Sequence, residues 1–165
     1  MKTFLKILVA LIIVAALCVG IYFILPETSK MYIKGNIQYR TNEEAKEKVD
    51  SLKANKIVVN QVQKNGTTKA VDTGVTYGDA LEKTCKSTAW YYESDVNGSM
   101  TITFYGSKAS LDLSKYGSDG TFIDKSLKLV FYFPSDGKST VTVYIGDDQL
   151  NDTDKVAALQ AIAEK

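Results

Sequence analysis

The sequence contains no histidine and only two cysteines, and these two scarcities exclude several kinds of catalytic site. Without histidine, neither a Ser-His-Asp triad nor a Cys-His pair can form, and a zinc site would lack its commonest nitrogen ligand. Catalysis would have to rest on carboxylates, lysine or tyrosine. We therefore predict a protein that is not an enzyme, with no catalytic residue, no metal site and no cofactor.

The two cysteines lie in different parts of the chain. Cys18 belongs to an apolar N-terminal run, so Cys85 has no partner for a disulfide in the rest of the chain. In VTYGDALEKTCKS, helical spacing places Cys85 on one face with Tyr77, Ala80, Leu81 and Thr84. We predict that Cys85 is a buried core residue and not a nucleophile.

The chain also lacks an excess of either charge, with 20 Lys plus Arg against 19 Asp plus Glu. Two of the lysines lie before residue 7, so residues 26–165 carry a net charge of −1. A nucleic-acid-binding protein would need a basic patch to neutralise phosphates. No nucleic acid partner is predicted.

A long apolar run is present near the N-terminus. Residues 7–25 contain no charged side chain, and as a helix they would extend roughly 28 Å, close to the thickness of a bilayer core. Lys2 and Lys6 precede the run, and Pro26 and Glu27 follow it. We predict a transmembrane helix whose partner is the lipid bilayer.

Three other interpretations of this run are less favoured. A buried core helix seldom runs nineteen residues without one polar break. A signal peptide cleaved after the small residues Val14, Ala15 and Ala16 would leave the apolar stretch LCVGIYFIL at the mature N-terminus. A lipoprotein acylated at Cys18 would need a small residue before it, where Leu17 stands. We favour an uncleaved, single-pass anchor in the cell membrane. A short basic tail before the run is typical of signal-anchored proteins, so the C-terminal domain is expected outside the cytoplasm.

Local signals divide the remainder into a connector at 26–40 and a domain at 41–165, with its core at 56–165. Helices are predicted after a Thr41/Glu44 capping box, after Thr76, and after Asn151 or Asp152. The third helix would bury a stripe of Val156, Leu159 and Ile162 or Ala163. In the second helix, Gly78 is expected to allow close packing against a sheet.

Alternating residues and turn signals predict strands between these helices. Hairpin turns are expected at Asn65-Gly66, Asn97-Gly98 and residues 134–137, and a bulge or bend at Gly106. One strand face is apolar, with Trp90, Met100, Ile102, Phe104, Leu127, Leu129, Phe131, Phe133, Val141, Val143 and Ile145. The other carries Tyr91, Thr101, Thr103, Tyr105, Lys128, Tyr132, Thr140, Thr142 and Tyr144.

The predicted fold class is therefore α+β. An N-terminal transmembrane helix precedes an antiparallel meander sheet of four or more strands, and two helices, at 76–87 and 152–164, pack on one face of that sheet.

The order of these elements resembles a class of small bacterial membrane-anchored extracytoplasmic domains. The shared landmarks are Gly-x-Ala, Trp-x-Tyr and Phe-x-Gly, and the likeness covers about residues 56–165. The matching positions are Gly78, Ala80, Trp90, Tyr92, Phe104 and Gly106. The resemblance implies an extracytoplasmic bacterial domain and carries no catalytic motif.

Four tyrosines, one from each main strand, are the candidate binding residues: Tyr91, Tyr105, Tyr132 and Tyr144. Tyrosine combines a flat apolar ring with a hydroxyl, which suits a glycan, a peptide or a protein partner. It is also a common residue on a solvent-facing strand, so a purely structural role is the alternative. The acidic residues Asp147, Asp148, Asp152 and Asp154 lack the spacing of an EF-hand loop.

Three functions remain in order of preference. The first is an interaction module that binds a membrane protein or a cell-envelope component through the tyrosine-bearing face. The second is a sensor or small-ligand-binding domain, which requires a concave pocket between helix and sheet. The third, with the least support, is a carboxylate-dependent enzyme.

Overall fold

The structure is a computed structural model that describes residues 2–62 and 67–165. It is an α+β fold with an N-terminal apolar helix and a five-stranded antiparallel sheet, as predicted. The predicted turn at Asn65-Gly66 lies outside the described residues.

The N-terminal helix α1 covers Lys2–Ile24. Within it, residues 6–24 are long enough and apolar enough to cross a membrane, and none of that window is buried against the rest of the protein. A signal sequence would pass the same test.

The predicted connector forms a second helix, α2, at Glu27–Thr41. It lies along the outer edge of strand β3, Ser87–Ser94. Gly35 packs on the backbone of this strand, since a Cβ at that position would lie 2.6 Å from the Trp90 carbonyl oxygen. The Tyr32 hydroxyl donates to the Ser87 carbonyl at 2.8 Å.

The Gln38 side chain pairs with the β3 edge further along the strand, at Tyr92. Its amide nitrogen donates to the Tyr92 carbonyl at 2.7 Å, and its oxygen accepts from the Tyr92 N–H at 2.8 Å. This is the pair of bonds that a neighbouring strand would make. Helix α2 therefore protects an edge that would otherwise be open to pairing with another chain.

Helix α3, Glu43–Ala54, is capped differently from the prediction. The N-cap is Asn42, whose side chain accepts from the Ala45 N–H at 3.0 Å, while Thr41 ends α2. The predicted Thr41/Glu44 capping box is wrong because α2 continues up to Thr41. The Glu44 carboxylate instead accepts from the Tyr92 hydroxyl at 2.8 Å.

Strands β1, Lys56–Val62, and β2, Thr68–Thr76, form a separate two-stranded sheet. Helix α4, Tyr77–Thr84, follows with Thr76 as its N-cap, as predicted. Gly78 packs against the end of α3 and not against a sheet, because a Cβ there would lie 3.1 Å from the Cβ of Lys53.

The main sheet is a meander in the order β3-β4-β5-β6-β7. Strand β4 covers Met100–Asp112, β5 covers Thr121–Phe133, β6 covers Thr140–Ile145 and β7 covers Asp148–Gln149. The turns at 95–99 and 134–139 confirm two of the predicted hairpins. The register of β4 with β5 shifts after Gly106, which confirms the predicted bulge.

The core lies between the apolar sheet face and helices α3, α4 and α5, of which α5 covers Asp152–Ala163, and Ile57 and Val59 of β1 also belong to it. Asn151 caps α5 as expected. The buried surface of α5 is wider than the predicted stripe, because the β1–β2 hairpin packs on it as well as the main sheet. Its buried residues are Ala157, Ala158, Leu159, Ala161 and Ile162.

We predict that Gly106→Ala lowers the free energy of unfolding by about 1–3 kcal/mol, the usual cost of overpacking a core. A Cβ at this position would overlap the sulfur of Cys85 and approach the Phe104 ring to 2.9 Å. Urea unfolding of the full chain in detergent micelles, followed by the fluorescence of the single tryptophan, Trp90, measures the change.

The double variant Cys85→Ala/Gly106→Ala serves as the control, because it removes the sulfur that the new methyl group would meet. Its loss should be about 1 kcal/mol or more below the sum of the two single losses. Additive losses would show that Gly106 and Cys85 do not compete for the same space.

Candidate functional site

The four candidate tyrosines lie on the polar face of the sheet, but the register brings only some of them together. Tyr105 on β4 and Tyr144 on β6 both pair with Lys128 on β5, so all three form one cross-strand row. The two rings are therefore about 10 Å apart. Tyr91 is opposite Thr103, in the adjacent row.

Tyr132 lies apart from the other three tyrosines. It pairs with Thr101, four residues along β4 from Tyr105, which corresponds to about 13 Å. Its side chain is 42% exposed, whereas Tyr91, Tyr105 and Tyr144 are half-buried. The tyrosines thus form a group of three and one separate ring.

A cleft of about 570 Å³ lies over one end of the polar face, between the sheet and the first turns of α2. The helix contributes Glu27, Thr28, Ser29, Met31 and Tyr32. The sheet contributes the row of Tyr105, Lys128 and Tyr144, together with Gly106, Ser107, Ser126, Leu127, Gly146 and Asp147. We call this space the α2 cleft.

The α2 cleft lies at the end of the sheet nearest to helix α1. Only Leu25 and Pro26 separate α1 from α2, whose first turn forms one wall. The hydrogen bond from the Tyr32 hydroxyl to the Ser87 carbonyl attaches this part of α2 to the start of β3.

Charges of both signs line the α2 cleft. The Lys128 ammonium lies 3.9 Å from the centre of the Tyr144 ring, a cation–π contact, and the Tyr144 hydroxyl donates to Gln149 at 3.2 Å. Glu27 contributes a carboxylate that is 3.2 Å from the Lys30 ammonium. Tyr144 is therefore already engaged on one ring face and at its hydroxyl.

Tyr105 differs from Tyr144 in the hydrogen bonding of its hydroxyl. Among the described residues its hydroxyl has no hydrogen-bond partner. Burial raises the pKa of Tyr105, and the negative charges of Glu93 and Glu27 raise it further. The hydroxyl therefore stays protonated at neutral pH and can donate to, or accept from, a ligand in the α2 cleft.

The α2 cleft is lined by groups that can form hydrogen bonds and ring contacts with a ligand. Residues with hydroxyl groups, among them Thr28, Ser29, Tyr105 and Ser126, line a space that also contains ring surface and one cation. In the described part of the chain, no group of three or more Cys, Asp or Glu residues could hold a metal ion. Of the acidic residues before α5, Asp152 pairs with Lys155 at 2.6 Å and Asp154 accepts from Asn151 at 2.7 Å.

The sequence interpretation missed the contribution of α2 to this site. Its helical signal was present, since Tyr32, Gly35 and Tyr39 recur with the spacing of one helix face and Pro26 precedes an acidic first turn. The stripe is not strongly apolar, so its burial could not be inferred without knowing that β3 has an open edge.

Cys85 is buried at the end of α4, as predicted, and lies on the opposite side of the sheet from the four tyrosines. Burial raises the pKa of its thiol to about 12. The nucleophilic thiolate is therefore scarce at neutral pH.

Comparisons of the chain with protein-family models, with curated proteins and with solved structures give no match. The likeness to bacterial extracytoplasmic domains thus stays a prediction from sequence landmarks.

We predict that Cys85 reacts with a thiol reagent only when the protein unfolds. With a pKa of about 12, roughly one thiol in ten thousand is ionised at pH 8, and the sulfur is enclosed as well. The measurement is the labelling rate of the Cys18→Ala variant with and without urea. Native-state labelling as fast as that of free cysteine would contradict the buried position.

Proposed function

We propose that this protein is a membrane-anchored interaction module with no catalytic activity, which binds a membrane protein or a cell-envelope component. Residues 7–25 would lie in the bilayer as a single pass, and the domain outside the cytoplasm. The single observation that carries the proposal is the α2 cleft, which places Tyr105 and Tyr144 next to the end of a helix apolar enough to span a membrane.

The position of the α2 cleft supports a partner near the bilayer. The wall made by Glu27–Tyr32 begins three residues after Ile24, so a molecule in the cleft would lie close to the bilayer surface. Tyr91 and Tyr132 extend the polar face away from this end. A protein partner could therefore contact the cleft and the outer part of the same face together.

Photo-crosslinking in intact cells tests the proposal. We expect that a photoreactive amino acid at Thr101, on the polar face, forms adducts in intact cells, and that one at Lys83, exposed on α4, does not form the same adducts. Replacing both Tyr105 and Tyr144 by Ser should reduce the Thr101 adducts at least tenfold, since each buried aromatic anchor contributes about 2 kcal/mol.

Tyr132→Ser is the matched control, because it removes a ring from the same face outside the α2 cleft. It should reduce the adducts less than the double variant. Identical adducts from both positions, or adducts unaffected by loss of Tyr105 and Tyr144, would refute binding through this face.

The second candidate function is small-ligand binding, and the volume of the α2 cleft favours it. Ligand pockets commonly enclose about 300–1,000 Å³, and the cleft lies within this range. The sequence interpretation placed the required pocket between helix and sheet. The space beneath α4 and α5 is filled by buried core residues, so the pocket is provided by α2 on the opposite face.

We predict that a ligand in the α2 cleft changes the ¹⁹F NMR signals of fluorotyrosine at Tyr105 and Tyr144. The probes would be free amino acids, monosaccharides and disaccharides added singly to the labelled full chain in micelles. Thr28→Trp, an exposed position on the cleft wall, should block the response. Thr41→Trp, exposed at the other end of α2, should not.

A response at these signals that persists in Thr28→Trp would place the ligand elsewhere. If none of the three classes of probe alters either signal, small-ligand binding of these classes is rejected and the interaction module is retained.

A further inference from the structure

Helix α2 has an outer surface opposite the one that packs on the sheet. Tyr32, Gly35 and Gln38 face strand β3. On the helical wheel, Ile33, Ile37 and Arg40 lie on the side opposite to Gly35, and the exposed Lys34 lies beside them. We call these four residues the outer α2 face.

The outer α2 face combines apolar and basic side chains. Ile33 is 39% exposed and Ile37, one helical turn later, is 57% exposed. Single exposed hydrophobic residues are ordinary on a soluble surface. Here two of them are adjacent, and Lys34 and Arg40 flank them.

The charge of α2 differs from that of the rest of the domain. The helix contains three basic residues and one acidic residue, Glu27, which is paired with Lys30 at 3.2 Å. Residues 42–165 contain 15 basic and 18 acidic residues. Within the described part of the chain, Lys34 and Arg40 form no ion pair, so their charges are available to an external anion.

The outer α2 face is also close to the candidate membrane span. Pro26 lies between the two helices with φ −55° and ψ 149°, an extended conformation that interrupts the helical path. Helix α2 is therefore not a straight continuation of α1, and its axis can run along a surface that α1 crosses.

We propose that the outer α2 face lies on the bilayer surface, with Ile33 and Ile37 among the lipid headgroups and with Lys34 and Arg40 contacting anionic phospholipids. The inference rests on the proposed anchor. Exposed apolar residues flanked by basic side chains can insert at the headgroup boundary of an anionic bilayer, and each basic residue near an anionic surface strengthens binding about fivefold.

The orientation of the domain follows from this contact. Tyr32 is attached to Ser87 and Gln38 to Tyr92, so α2 and β3 run side by side in the same direction. With α2 on the bilayer, the strands of the main sheet would run along the membrane. The polar face and the α2 cleft would then stand beside the headgroup region along the length of β3.

The experiment measures whether Ile37 contacts lipid. The full-length Cys18→Ala/Ile37→Cys variant, labelled with an environment-sensitive fluorophore, is placed in nanodiscs of neutral phosphatidylcholine or of a mixture with anionic phosphatidylglycerol. Cys85 is buried and should escape labelling. We expect a blue-shifted emission that is quenched by lipid-borne nitroxide in the anionic discs, less of both in neutral discs, and loss of both effects at 1 M salt.

Charge variants separate a specific contact from mere proximity to the bilayer. The variant Lys34→Gln/Arg40→Gln lacks two basic residues. The ratio of molecules with α2 on the lipid to molecules with α2 in water should therefore fall about 30-fold. Lys83→Gln/Lys115→Gln removes the same charge from exposed positions elsewhere and should leave the ratio unchanged. A label at Val96, in the β3–β4 turn, should stay in water.

The outcomes distinguish this inference from the proposed function. A chain that fails to incorporate into the discs refutes the anchor and both proposals. A chain that incorporates but keeps Ile37 in water, or that responds equally to both double charge variants, refutes only the lipid contact. Protection of Ile37 in native membranes but not in anionic discs would assign the face to a protein partner and also refute it.

Discussion

The attachment of α2 to the edge of β3 is the interaction on which the rest of the arrangement depends. Gln38 supplies, from one side chain, the donor and the acceptor that a sixth strand would have supplied to Tyr92. Gly35 allows this because any larger residue would collide with the Trp90 carbonyl. The sheet edge is thereby covered at Trp90 and Tyr92 without a further strand, and edge-to-edge association is disfavoured there.

The same attachment joins the apolar N-terminal helix to the sheet. Because α2 begins within three residues of α1 and then follows β3, the end of the sheet that bears Ser87 and Tyr105 lies nearest to α1. The α2 cleft is a result of this geometry, since one wall is helix and the floor is sheet. Detaching α2 would open the β3 edge and remove the wall together.

The two faces of the main sheet differ in the elements that cover them. The apolar face is covered by α3, α4 and α5, and Gly106 allows the close approach of Cys85 there. The polar face carries hydroxyls, rings and Lys128, and α2 covers only its margin. Trp90 belongs to the buried side, where its ring packs against Phe104 and Phe131.

Much of the fold followed from local patterns. Period-two alternation identified both sheet faces, Asn97-Gly98 identified a hairpin, and Thr76 and Asn151 identified two helix starts, because each signal depends on neighbouring residues only. The Thr41 cap failed because α2 extends through that residue. The width of the buried surface on α5 also differed, since the β1–β2 hairpin that covers it is distant in sequence.

The sequence by itself determined the apolar N-terminal run, the absence of histidine chemistry, and the tyrosines that share the polar face. Only the tertiary structure decided which tyrosines lie together, since Tyr105 and Tyr144 meet through the register of β4, β5 and β6. It also decided that residues 27–41 form a wall of the site. A half-polar helix is buried only if a strand edge is present to receive it, and that edge is formed by residues more than fifty positions later in the chain.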